Sequence, residues 1–140
     1  MIEKQRKKEA RVSEQWDALA EMLGLRDKTF FGGVEHCEFS LEKLSGFLNL
    51  GFIIPDYKFN NSPTVEVFFE FGKRAEACGA LVMYIGFLES KSRENARLVI
   101  EGIKVTSFPD SVSLILDFSQ TFHDADEFTA SSRLLRAWYD

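Results

Sequence analysis

The sequence predicts an α+β domain built on a four-stranded antiparallel meander, with helices before and after it. Three observations carry that prediction. Apolar residues recur at three- and four-residue spacing near both ends, a two-residue period dominates from Thr64 to Phe122, and short polar connections separate the apolar stretches. At 140 residues the chain fits a single domain, 1–140, able to bury roughly two-thirds of its unfolded surface without a metal or disulfide.

Residues 2–23 read as an amphipathic helix. Val12, Trp16, Leu19, Ala20 and Leu23 line one side, no Gly or Pro interrupts them, and Gly24 offers a left-handed stop. The opening turns are nearly all charged, so residues 1–10 are expected as a frayed helix start. Thr29 to Gly33 reads as a loop holding Phe30 and Phe31. A fifth, short strand is expected at 34–39, where Val34 to Phe39 half-alternates. Ser40 then caps a short helix at 41–49, with Leu41, Leu44, Phe47 and Leu48 on one face and Gly51 just beyond it. Pro55 to Pro63, with Asp56, Asn60 and Asn61, reads as a surface loop.

From Thr64 the apolar residues Val65, Val67, Phe69 and Phe71 alternate with Thr64, Glu66, Phe68 and Glu70, giving the first main strand. Lys73 to Gly79 connects it to a second strand, Ala80–Leu88, which is apolar on both parities and so interior to the sheet. Glu89 to Asn95 makes a polar hairpin turn. The third strand, Arg97 to Thr106, breaks its own alternation: Leu98 and Ile100 share one parity, Ile103 and Val105 the other. A β-bulge at Gly102 would return all four to one side. Phe108-Pro109-Asp110-Ser111 is a tight turn. In the fourth strand, Val112 to Phe122, the residues Val112, Leu114, Leu116, Phe118 and Phe122 face inward, with Ser113, Asp117, Ser119 and Thr121 outward. Asp124 or Asp126 caps a C-terminal helix striped by Ala125, Phe128, Leu135 and Trp138. Short connections favour a meander in sequence order with the helices mainly on one face. In outline this resembles the cystatin-like and NTF2-like architectures, a curved meander against a helix, and an outline without diagnostic residues implies no activity.

Composition narrows the function classes. The net charge of -5 argues against nucleic-acid binding, because phosphate neutralisation supplies most non-specific affinity. Lys4, Arg6, Lys7, Lys8 and Arg11 do gather near the start, but Glu3, Glu9 and Glu14 dilute them, as expected of a solvated helix. Met1-Ile2-Glu3-Lys4 lacks the apolar run of a signal peptide, and the longest apolar stretch, Cys78 to Leu88, is too short to cross a membrane. Cys37 and Cys78 have no CxxC spacing and read as reduced thiols in a cytoplasmic protein. The 14 Phe residues demand a core, an interface or an apolar pocket.

Four constellations could carry chemistry or binding. His123-Asp124-Ala125-Asp126-Glu127 offers metal-ligand types, yet acids at a helix start also cap amides and complement its dipole, and capping is preferred. His36-Cys37 pairs thiol with imidazole, but neighbours on a strand point to opposite faces, so no Cys–His pair forms. Glu66, Glu70 and Asp117 supply acids on the outward faces of strands one and four, about 15 Å apart across the sheet, too far for general acid–base work unless curvature closes the gap. Phe68, Val82, Tyr84 and Ile115 share the sheet face expected to lie away from the helices, an apolar patch rimmed by Glu66, Glu70, Lys104 and Asp117. The resulting expectation is a non-enzymatic protein-interaction or self-associating module using one sheet face, with a homo-oligomer or another protein as partner. No metal, cofactor, nucleic acid or membrane enters this reading. The alternative is a small-molecule-binding or catalytic domain with an apolar cavity between sheet and helices.

Overall fold

The structure, a computed structural model, describes residues 21–23, 34–89, 98–109 and 111–140. It is an α+β arrangement with an antiparallel sheet, as expected, and the strand at 34–39 is a full member of it. In chain order the elements are β1 (Val34–Ser40), α1 (Leu41–Asn49), α2 (Val65–Ala77), β2 (Leu81–Glu89), β3 (Leu98–Thr106), α3 (Val112–Thr121), β4 (Glu127–Ala130) and β5 (Leu135–Trp138). The strands lie in the order β1-β2-β3-β5-β4, every neighbouring pair antiparallel.

Several local expectations hold. The Ser40 hydroxyl accepts from the Lys43 amide at 3.2 Å and starts α1, whose Leu44 and Phe47 are buried. β2 is interior, between β1 and β3. The slip in β3 is also present: Ile85 pairs with Gly102 and Gly86 with Ile100, so Glu101 is the extra residue. This bulge brings Leu98, Ile100, Ile103 and Val105 together into the core. Gly102 fits because a Cβ there would stand 2.7 Å from the Ala137 carbonyl oxygen on β5.

Three expected elements are different. The segment from Thr64 to Phe71 is not a strand but the front of α2, capped by Thr64, whose hydroxyl accepts from the Val67 amide. Its buried positions, Val65, Phe68, Phe71, Gly72 and Ala75, recur every three or four residues. Val112 to Phe122 is likewise α3 with its C-cap, started by Ser111 accepting from the Leu114 amide at 3.3 Å, and Leu114, Phe118 and Phe122 form its buried line. The expected C-terminal helix is the β4–β5 hairpin, turned at Ser131, whose hydroxyl accepts from the amides of Arg133 and Leu134. The in-order meander therefore stops at β3, and the hairpin completes the sheet with β5 inside and β4 at the edge. Of the expected helix at 2–23, Glu21 and Met22 are helical and Met22 and Leu23 pack against the core, while the rest lies outside the described residues. The 29–33 loop and most of the 89–95 turn lie outside them too.

One hydrophobic layer joins the helices to one sheet face. Phe39, Val82, Tyr84, Ile103, Val105, Leu135 and Ala137 come from the strands, and Leu44, Phe47, Phe68, Phe71, Leu114 and Phe118 from the helices. Much of the Phe content goes into this layer. Phe68 meets the rings of Phe122, Tyr84 and Tyr139 at 5.4, 6.3 and 6.3 Å, and Phe71 meets Phe118 at 5.6 Å. Each fully buried Phe contributes roughly 1.5–3 kcal/mol by the area it removes from water. The register turns the other sheet face away from the helices. It carries His36 and Glu38 on β1, Met83, Ile85 and Phe87 on β2, Val99 and Lys104 on β3, and Arg136 and Trp138 on β5. Phe87 and Val99 are buried there apart from the main cluster, with the Phe59 ring edge-on to Phe87 at 5.4 Å.

Candidate functional site

The expected interaction patch is not a surface. Phe68, Val82 and Tyr84 are each 0% exposed, and Ile115 is half-buried against the core. Phe68 belongs to α2, which covers the face carrying Val82 and Tyr84. The Tyr84 hydroxyl donates to the Phe68 carbonyl oxygen at 2.7 Å. Burial pushes that phenol above its ordinary pKa. The two rings do share a side, but it is the helical side, so these residues hold the fold.

Most of the acidic groups singled out in the sequence are taken up by local bonds. The His123 ring N–H donates to the Gln120 carbonyl at 3.0 Å. Asp124 accepts from the Tyr139 hydroxyl at 3.0 Å, Asp126 from the Asp140 amide at 2.7 Å, and Glu127 from Arg136 at 2.9 Å. These acids brace the hairpin instead of capping a helix, and no metal-binding group of three His, Cys, Asp or Glu is found among the described residues. Glu66, Glu70 and Asp117 sit on helices and not on strands. Glu70 pairs with Lys73 at 2.9 Å, and Asp117 receives Nε and Nη2 of Arg74 at 2.8 and 3.0 Å, joining α2 to α3. The Arg74 hydrogen bond holds the Asp117 carboxyl below its ordinary pKa, against the opposing effect of burial.

His36 and Cys37 point to opposite faces, as the strand geometry requires. Cys78 is exposed at the C-cap of α2. On the sheet face away from the helices, His36 Nδ1 stands 3.0 Å from Glu101 Oε1, and Glu101 is only 5% exposed. Sequence reading missed this pair because the bulge aims Glu101. The one legible signal was an acid standing at the break in parity.

A further surface lies at the β4 edge. α3, with the sequence VSLILDFSQT, carries one charged residue, Asp117, and Arg74 engages it toward α2. Its remaining surface is free of charge, with Val112 and Leu116 exposed at 69% and 55%. By contrast, α2 carries Glu66, Glu70, Lys73, Arg74 and Glu76. Beneath α3 runs β4, whose four residues are all exposed. Phe128 of β4 keeps 42% of its surface exposed while its ring lies 5.5 Å from that of Phe118. An exposed helix bearing Val and Leu, beside an edge strand bearing Phe, concentrates apolar surface where solvation alone would favour charge.

Scans against family models, curated proteins and solved structures each return no match to this chain.

Proposed function

We propose that the protein is a non-enzymatic interaction module that engages another protein chain through the outer side of α3 and the adjoining strand β4. One observation carries this reading: the uncharged, exposed side of α3, with Val112 at 69% and Leu116 at 55% exposure. Depletion of charge with retention of large apolar groups marks the core of a protein–protein contact. The working surface is thus the edge of the layered fold, in place of the sheet face expected from the sequence. The test is photo-crosslinking in the producing cells from a reactive residue at position 116, with the exposed position 76 on α2 as control. Discrete protein adducts at 116 and none at 76 are expected. Equal labelling at both, or none at 116, overturns the reading.

A second reading is favoured by the His36–Glu101 pair. A buried carboxylate that orients an imidazole leaves the other ring nitrogen to act as a base or hydrogen-bond acceptor toward a small molecule beside the exposed His36 ring. A small-molecule screen followed by the His36 ring signals in NMR tests it. The absence of any compound that shifts those signals in wild type and not in Glu101→Gln counts against it.

A further inference from the structure

We propose that His36 Nε2 is a nucleophile that takes acyl groups from uncharged activated donors, esters or thioesters, with Glu101 as its positioning residue. The inference rests on the second reading above and names the class of molecule that meets the ring.

The geometry fixes which nitrogen reacts. Glu101 is the extra residue of the β3 bulge, and the Tyr139 amide holds its backbone by donating to its carbonyl at 2.7 Å. Bulges re-aim side chains, and this one turns a carboxylate with 6% side-chain exposure onto His36 Nδ1 at 3.0 Å. A carboxylate accepts, so Nδ1 of the neutral ring carries the proton and the lone pair stands on Nε2. The His36 side chain is itself 71% exposed, with the Phe87 ring edge-on at 5.9 Å as a second constraint on its orientation.

The step balances without a further reagent. The Nε2 lone pair attacks the carbonyl carbon, the bond to the alkoxide or thiolate breaks, and that group leaves with the electron pair. The ring, now acylated on Nε2 and protonated on Nδ1, is cationic, and the Glu101 carboxylate stabilises that charge through Nδ1–H. Water then attacks the acyl carbon, which releases the acid and restores the ring.

Charge selects the donor. Glu101 stands against the ring, and Glu38 lies two residues along β1 on the same face, its charge shared with Lys104 at 3.2 Å. Carboxylates there repel the dianion of a phosphoryl donor, whereas a neutral carbonyl meets no such barrier.

The chain carries its own control. Its second histidine, His123, is also exposed and also donates from Nδ1, but to the uncharged Gln120 carbonyl at 3.0 Å. Diethyl pyrocarbonate, an uncharged acyl donor, is added to the full chain and both sites are followed by peptide mass spectrometry. His36 is expected to react about tenfold faster than His123, the margin of a charged over a neutral acceptor. In Glu101→Gln the His36 rate should fall to that of His123, while the His123 rate stays unchanged and reports an intact fold. Release of p-nitrophenol from p-nitrophenyl acetate should be lost in His36→Gln and kept in His123→Gln. Equal rates at the two histidines in wild type overturn the proposal, and so does a folded Glu101→Gln that leaves the His36 rate unchanged. A compound that shifts the His36 signals in wild type and not in Glu101→Gln, with no acylation advantage, leaves the second reading standing, so the two failures are distinguishable.

Discussion

Gly72 is where the assignment of residues 65–77 to a helix can be tested energetically. In an isolated helix, Gly72→Ala should stabilise by about 1 kcal/mol. Here a Cβ would collide with the Tyr84 hydroxyl and stand 2.9 Å from Leu41 Cδ1. Overpacking of this kind costs about 1–3 kcal/mol. Moving the hydroxyl also forfeits its bond to the Phe68 carbonyl, worth about 1 kcal/mol. The sum favours a net loss of about 2 kcal/mol. Tyr84→Phe alone should lose about 1 kcal/mol. In that background the hydroxyl is gone, the ring Cζ would lie 3.2 Å from the new methyl, and Gly72→Ala should cost less than about 1 kcal/mol. The two substitutions should therefore be coupled by about 1–2 kcal/mol. Equilibrium urea denaturation of wild type, both single variants and the double variant measures it. A stabilising Gly72→Ala, or strict additivity with Tyr84→Phe, would refute the placement of α2 over Tyr84.

Three further expectations follow from the same contacts. Thr64→Ala and Ser111→Ala should each lose about 1 kcal/mol in thermal or urea unfolding, because each hydroxyl caps a helix; no loss in either would favour the strand reading of these segments. Gly102→Ala should lose about 2 kcal/mol or more, since its methyl would press on the backbone of β5, and a neutral result would contradict the close approach of β3 and β5 at the bulge. Arg74 depresses the Asp117 pKa, so the pair adds stability above the unfolded carboxylate range, near about pH 4, and loses it as pH falls through the lower folded value. The stability gap between wild type and Asp117→Asn should be under about 1 kcal/mol at neutral pH, because solvent screens both groups, and should close as acid protonates the folded-state carboxylate; a constant gap contradicts the pairing.

The sequence made β1, α1, β2 and the β3 bulge legible because each carries a local signal: the half-alternation of Val34 to Phe39, a cap at Ser40, apolar residues on both parities of β2, and a parity switch at Glu101-Gly102. α2 and α3 were hidden by their composition. In α3 the buried line Leu114, Phe118, Phe122 was present at helical spacing, but exposed Val112 and Leu116 filled alternate positions and imitated a strand. The residues that misled the period, Val112 and Leu116, are the ones proposed for the interaction surface. In α2 the four-residue pattern continues into Lys73-Arg74-Ala75-Glu76-Ala77, a run of helix formers that reads as a connection once a strand is assumed. The hairpin was obscured because Phe128 and Leu135 lie seven residues apart, as on one helix face, although the buried Leu135, Ala137 and Tyr139 alternate as a strand does. The error at 64–71 then carried Phe68 onto a supposed open face and took the expected site with it.

Hydroxyl-radical footprinting bears most directly on the contact proposed at α3 and β4. The purified chain at low concentration is compared with the same chain in extracts of the cells that make it. The account predicts that Val112, Leu116 and Phe128 lose reactivity on assembly while Ile54 and Leu81, exposed elsewhere at 61% and 53%, keep theirs. Protection of Leu81 with Leu116 unchanged would place the contact on the sheet face away from the helices and contradict it.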